Sequence, residues 1–446
     1  MRRLSVIALA LIFVALSSHR SRGQEAVSTT GTSGSSSSSS AASSQTSTST
    51  TDLSAGTTAP STAVTSSPST PSIEGGPSGV GVFSPTPVRI YASVFGGYDD
   101  NVNTFLGNKQ GSAFTGGNLI LDYTFGDPRL QVILNGGAGG TYYLENISSQ
   151  NYDVDLKGAL GINFKSSPRL TLGTTILVDY LTEPSFDNPG GLNSRNGNYF
   201  YTTDQFFATY AWTRRFATKT AYTLEGYQYD ESSIGNFSNR LSNTFGNEFR
   251  FQLVPTTLLV AEYRYGIVSY SDSSLDSTTH FALAGLDHTF NPRFSTSLRG
   301  GAEFRSYDGD GKRTSPYFEG TLSYIVGRRV TVSWNNRYGI EEPEIIGAQS
   351  RTTFRTGLHG KLDVTSRVSA TADIYYVHDD YHSLNTALVP LAPFSESTFD
   401  GGLSLHYAVT PLLGLQAGYH YTKISSDTGF REYSRNRVTG GVSLNF

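Results

Sequence analysis

From about Val88 to Phe446 the sequence repeats one device. A run of about fourteen residues alternates apolar and polar, a tight turn follows, a second such run returns, and a longer polar stretch closes the unit. The tight turns read "GDPR" (126–129), "SSPR" (166–169), "TRRFAT" (213–218), "VPTT" (254–257), "NPRF" (291–294), "GRR" (327–329), "TSR" (365–367) and "TP" (410–411). Between them stand "TEPSFDNPGGLNSRNGN" (182–198), "DESSIGN" (230–236), "SYDGDGKRT" (306–314) and "HSLNTALVPLAPFSE" (382–396). A period of roughly forty residues also suits a propeller, but a propeller blade needs four short strands. One tight turn and one long loop per repeat leave two long strands, a hairpin too long for a blade or a sandwich.

The alternation can be followed strand by strand. In "VDLKGALGINF", Val154, Leu156, Leu160, Ile162 and Phe164 share a face, and Asp155, Lys157, Asn163 and Lys165 share the other. Leu298, Ala302 and Phe304 oppose Arg299, Glu303 and Arg305, while Phe354, Leu358, Leu362 and Val364 oppose Arg355, His359, Lys361 and Asp363. Phe399, Leu403, Leu405 and Tyr407 oppose Asp400, Ser404 and His406, and Leu413, Leu415, Ala417, Tyr419 and Tyr421 share a face on the next strand. A sandwich would bury the apolar face, whereas a membrane barrel turns it to lipid and the charged face to a wet interior. No helical segment is available to cover it, and each run exceeds the nine to eleven or so residues that cross a bilayer at a tilt. Tyr (27) and Phe (26) are abundant, and Trp212, Tyr142, Tyr143, Tyr180, Tyr227 and Tyr229 near strand ends are expected to form interfacial girdles. The expected fold is all-β, a transmembrane antiparallel up-and-down β-barrel of about 18 strands, within a range of 16–18, with a disordered N-terminal tail. Register stays open in "FALAGLDHTF" (281–290) and "TAYTLEGYQY" (220–229).

The chain begins with Arg2 and Arg3, then an apolar run from about Leu4 to Leu16. That run is too short for a bilayer span and has the build of a signal-peptide core, so residues 1–23 are expected to be cleaved near Gly23–Gln24. An uncleaved anchor is the competing reading. Residues 24–86 collapse to Ser, Thr, Ala, Gly and Pro, which cannot offset their chain entropy by burial and predict a disordered tail or linker on the periplasmic side. Residues 87–446 are expected to form the barrel.

The last strand alternates to its end, with Val438, Gly440, Val442, Leu444 and Phe446 on one face. A closed barrel pairs its last strand with its first, so a chain can finish inside the wall. Thr439, Gly441, Leu444 and Phe446 resemble the C-terminal recognition signal of bacterial outer-membrane barrels: a polar residue, a Gly two on, then apolar or aromatic residues three and five further on. This resemblance implies insertion by the barrel-assembly machinery. "VFGGYDDNVNTF", through Tyr98, Asp100 and Asn101, resembles the opening strand of β-barrel porin families. Some such barrels are associated with exopolysaccharide export.

No enzyme motif, phosphate loop or HExxH stands in the chain, and no catalytic residue or cofactor is expected. There are no cysteines, which excludes disulfides and thiolate metal sites, and a net charge of −4 gives no case for nucleic acid. His280, Asp287 and His288 lie close in sequence, as hydrolase residues would, but the open register weakens that reading. Asp99, Asp100, Asp308 and Asp310 offer oxygens for a hard cation, yet no distal Glu follows at EF-hand spacing, so solvated carboxylates are the expectation and no metal site is assigned. The constellation with physical force is the charged face: Asp155, Lys157, Glu248, Arg250, Glu262, Arg264, Arg299, Glu303, Arg337, Arg355, Lys361, Asp363 and Arg437. Facing lipid, each Arg or Lys would cost about 2–4 kcal/mol at the midplane, so these residues are expected to line the lumen. The expected function is a porin-like channel in the outer membrane of a Gram-negative type bacterium, passing small hydrophilic solutes. The alternatives are a polysaccharide-export or secretion barrel and a structural or adhesive surface barrel.

Overall fold

The computed structural model describes residues 88–446 apart from 148–149, 187–194, 196, 272–274, 309–310, 346, 384–391 and 430. The expected signal peptide and Ser/Thr-rich tail, and the carboxylate of Asp310, lie outside the described residues. The strands run β1 (Val88–Asp99), β2 (Ser112–Gly126), β3 (Leu130–Tyr143), β4 (Tyr152–Lys165), β5 (Leu170–Leu181), β6 (Tyr199–Ala211), β7 (Phe216–Tyr229), β8 (Arg240–Val254) and β9 (Thr257–Tyr270). They continue as β10 (Ser277–Asn291), β11 (Phe294–Tyr307), β12 (Lys312–Val326), β13 (Val330–Glu341), β14 (Ala348–Asp363), β15 (Val368–Ser383), β16 (Phe394–Ala408), β17 (Leu413–Ser426) and β18 (Tyr433–Asn445). A seven-residue helix, α1 (Ser232–Ser238), sits in the loop between β7 and β8. Each strand pairs antiparallel with the next, and β18 pairs with β1, which closes an 18-stranded barrel.

The turns follow from their residues. In most of the tight turns a side-chain oxygen caps the chain two and three residues on. Asp127 accepts from the backbone N–H of Arg129 (2.7 Å) and Leu130 (2.9 Å), which holds its carboxyl below the usual range. Ser167, Thr213, Thr365 and Thr410 repeat the device at later turns. Where no such oxygen stands, at "GRR", Gly327 supplies a φ of 66°.

Closure reaches the final residue. Phe446 accepts from the N–H of Ile90 (3.1 Å) and donates to its carbonyl (2.8 Å), and its ring is 67% exposed on the outer wall. Gly441 has its own reason. A Cβ there would lie 2.6 Å from the Val94 carbonyl and 2.8 Å from the Phe95 Cβ, so only glycine lets the inward ring of Phe95 lie across the seam. Thr439 points inward and is buried, and Leu444 points outward and is exposed.

The outer wall carries the apolar residues the alternation assigned to it, among them Leu156, Phe304, Leu358, Leu403, Leu415 and Val438. The two open registers resolve on buried residues: Leu283 and Asp287 point inward on β10, and Lys219 and Tyr227 on β7. The girdle expectation needs correction. Trp212, Tyr142 and Tyr180 lie on the outer face, but Tyr143, Tyr227 and Tyr229 are odd-numbered on strands whose odd positions face inward, and all three are buried inside the barrel. Leu358, outward and five residues above the short-turn end of β14, supplies a direct check (363−358). Leu358→Arg is expected to destabilise the folded barrel by about 2–4 kcal/mol, read as a lowered urea midpoint in lipid vesicles.

Candidate functional site in the barrel interior

The interior is built from inward positions of neighbouring strands. Register sets side chains on adjacent strands opposite one another, and on β7 to β14 those side chains carry alternating charge. Glu248 of β8 meets Lys219 of β7 (3.4 Å) and Arg250 (3.4 Å). Asp287 of β10 joins Arg250 (3.3 Å) to Arg299 of β11 (2.8 Å). Arg299 also reaches Glu262 (3.9 Å) and Glu248 (4.0 Å). Arg264 of β9 clasps Glu262 (2.5 Å) and Glu319 of β12 (2.6 Å). Glu319 faces Arg337 across the β12–β13 pair, and Arg337 lies over the Tyr317 ring at 5.8 Å. Glu303 takes Arg305 (3.0 Å) and the backbone N–H of Ile340 (3.0 Å), and Glu341 takes Arg355 (3.0 Å). From Lys219 to Glu319 these contacts make one connected ladder of charge over β7 to β12, and the pairs of Glu303 and Glu341 carry the pattern on to β14.

The remaining assigned residues stand apart from it. Asp155 and Lys157 pair on β4 at 3.7 Å, with side chains 20% and 23% exposed, so water reaches them. Lys361 and Asp363 stand at the short-turn end of β14, half-buried. Arg437 of β18 lies over the Phe114 ring at 4.4 Å. The wall is asymmetric: strands β2 to β7 contain no arginine, whereas β8, β9, β11 to β14 and β18 each contain at least one.

The second component comes from loops that turn into the mouth. After β5, Glu183 accepts from Arg435 of β18 at 2.6 and 2.8 Å and lies 3.8 Å from Arg437. Burial alone would raise the Glu183 carboxyl, but Arg435, then Arg437 and Arg195, outweigh it and hold it well below the usual carboxylate range. Phe186 packs against Ile424 and Tyr433, and its carbonyl takes a hydrogen bond from Arg355 of β14. β14 lies nine strands from β5 in a ring of eighteen (14−5), so this contact joins opposite walls. Arg195 of the same loop grips Asp153 at 2.6 Å. The loop after β13 follows suit: Glu342 takes Arg305 (2.5 Å) and Tyr270 (2.7 Å), and Glu344 takes Arg351 (3.1 Å), Tyr381 (2.6 Å) and Arg431. Val102, from the loop after β1, packs with Phe95, Phe114, Tyr143 and Ile147. The long-loop mouth is thereby narrowed. At the other end inward Ile133 and Ile325 remain 47% and 44% exposed, so the interior is not filled by side chains there.

Glu183, Glu344, Arg351, Arg431 and Arg435 were not assigned from sequence. Glu183, Glu344 and Arg431 lie in loops, about whose side chains alternation says nothing, whereas Arg351 and Arg435 share the inward parity of Arg355 and Arg437 and were within its reach. One weak alternative closes. His280 and His288 face outward, against Tyr263 and Thr257, while Asp287 faces inward, so the three cannot form one site. Asp99 is taken by Arg435 (2.5 Å), and Asp100 accepts from Asn436 (2.7 Å). Among the described residues no group of three His, Asp or Glu is placed to hold a metal ion.

Residues 88–446 match the family model described as "Putative beta-barrel porin 2". No curated protein matches the chain. Solved structures similar to it include a BenF-like porin from Pseudomonas fluorescens Pf-5, at 11% identity and TM-score 0.42 over 80% of this chain and 98% of that one. Pseudomonas aeruginosa OccK5 (OpdH) is similar at 14% identity and TM-score 0.41 over 80% and 98% of the respective chains. Acinetobacter baumannii OccAB4 is similar at 10% identity and TM-score 0.39 over 81% and 99%.

Proposed function

The chain belongs to the family described as Putative beta-barrel porin 2, a family of outer-membrane channels rather than enzymes, and from that premise we propose that it passes small hydrophilic solutes by passive diffusion. The observation that carries this reading is the charge ladder from β7 to β14. An interior of alternating Arg and Glu belongs with water, and arginine concentrated on one wall sets a transverse field across the path. Among the assigned residues Asp155, Lys157 and Arg264 keep 20–23% of their side chains exposed and, with Glu319, are the charges a solute would meet. The inward loops support a narrow pore over a closed surface barrel, because ion pairs such as Glu183–Arg435 stand in the constriction beside the apolar contacts of Val102 and Phe186.

Val88 and Phe446 stand at the short-turn end of the wall, which supports a periplasmic position for the Ser/Thr-rich segment 24–86, behind a cleaved signal peptide 1–23. The terminal strand supports recognition by the assembly machinery. Phe446→Asp is expected to reduce outer-membrane levels several-fold while signal-peptide processing continues, measured by immunoblot of fractionated membranes. Channel function is tested by swelling of liposomes that hold the purified barrel. Neutral sugars of increasing size should enter at falling rates, with a cut-off set by the loops. Swelling no faster than that of protein-free liposomes would support the surface-barrel alternative, and uptake of polysaccharide alone the export alternative.

A further inference from the structure

The outer wall is apolar over most of its circumference, but strands β6 to β8 break the rule. Asp204 has the same parity as exposed Phe206, and the odd positions Tyr199, Tyr201 and Phe207 are buried inside, so its carboxylate faces outward. It stands seven residues from the short-turn end of β6 (211−204), in the middle of the wall. Its Oδ1 accepts from Thr202 at 3.0 Å. On β8, outward Asn247 stands at the same height, also seven residues from the short-turn end (254−247), with outward Asn243 above it. Tyr222 donates to Asn243 Oδ1 (2.7 Å) and Thr220 to Asn247 Oδ1 (3.4 Å). These bonds use the amide oxygens and leave the two Nδ2 groups as donors to whatever covers the wall.

An ionisable side chain at mid-membrane height is expensive against lipid and, as a rule, faces protein or water. Among the described residues no cationic side chain pairs with Asp204 on the outer wall, and Thr202 is the side chain that donates to it. We propose that strands β6 to β8 form the contact between two copies of this chain in the outer membrane. The face is self-complementary about β7. A two-fold axis along the membrane normal keeps every residue at its height and sets β6 of one copy against β8 of the other. The Asp204 carboxylate of each copy then meets the donor Nδ2 of Asn247 or Asn243 from the other, and the pairing is made twice. Phe206, Tyr222 and Phe245 supply the packing around it. Their rings stand 6.4 and 4.9 Å apart in series, and Phe206 and Phe245 are 46% and 51% exposed.

The absence of cysteine makes the test direct, since one introduced thiol is unique in the chain. Leu224 lies outward on β7, paired in register with Asp204 and with Asn243, close to the proposed axis. In native outer membranes, Leu224→Cys treated with a short bismaleimide should give a cross-linked band of twice the chain mass. Leu405→Cys, outward on β16 and nine strands away (16−7), should give none. Adding Asp204→Leu to Leu224→Cys should lower the dimer yield about tenfold, with a heat-modifiable barrel retained, because two intramembrane hydrogen bonds are lost while the wall becomes more compatible with lipid. Four results would each overturn the proposal. They are monomer alone at Leu224→Cys, equal yields at the two sites, a cross-link to a different protein, and a yield unchanged by Asp204→Leu.

Discussion

Glu183→Gln is expected to release the loop after β5 and raise the conductance of the barrel while leaving the barrel folded. The buried carboxylate holds Arg435 with two short hydrogen bonds and lies beside Arg437. Removing one partner of a buried ion pair costs about 3–5 kcal/mol, enough to undo a latch that only a few loop residues make. Arg435 keeps Asp99, so the wall itself is not left with an orphaned charge. The same pair sets the response to pH. A carboxyl whose folded pKa is depressed contributes stability above its unfolded pKa and loses it as pH falls through the folded value. Glu183 and Glu344 both lie below the ordinary carboxylate range of about 4, so these two carboxylates keep their charge, and their arginines, as pH falls from 7 to about 5. Glu183→Gln should therefore conduct more than the wild type throughout that window. Equal conductance of the two at pH 7 and at pH 5 would contradict the assignment of Glu183 as a latch.

Arg299→Glu is expected to prevent assembly. Arg299 is 6% exposed and lies within 4.0 Å of Asp287, Glu262 and Glu248. Reversing its sign would gather four carboxylates in one poorly hydrated place, with Arg250 and Arg264 left to offset them. The cost exceeds the roughly 3–5 kcal/mol of a broken buried pair, since repulsion is added to lost attraction. Loss of the heat-modifiable band on cold gels is the readout. From alternation alone the same substitution reads as a folded barrel with changed ion selectivity. The structure moves that expectation to Lys157, which is partly exposed beside Asp155: Lys157→Glu should fold and shift selectivity towards cations. A folded Arg299→Glu barrel would show that the ladder is a loose, solvated array and not a paired one.

Much of the wall was legible because a strand with one face in lipid must alternate, and the charged residues then have one place to go. Legibility failed where that contrast was weak. Residues 281–290 carry Phe and Leu on both faces, and only Leu283 and Asp287 inside reveal the register. Tyr143, Tyr227 and Tyr229 were expected outside because aromatics gather at membrane interfaces, yet Tyr143 shares its face with buried Thr141 on β3, and Tyr227 and Tyr229 share theirs with Glu225 and Lys219 on β7, which sends them inside. The constriction was least legible. Glu183 and Arg435 are 252 residues apart, and nothing in either local pattern joins a loop carboxylate to a strand guanidinium on another part of the ring. Local periodicity fixes which face a strand residue takes, but not which loop side chain will cross the interior to meet it.

The proposed channel needs a wet path through the barrel, narrowed by inward loops and lined by paired charge. Single-channel recording of the purified, folded protein in a planar bilayer is the decisive measurement. Stable, ohmic conductance steps that grow larger in Glu183→Gln are the expected result. A folded, heat-modifiable protein that inserts and yet carries no current above the bare bilayer, in both the wild type and Glu183→Gln, would contradict it.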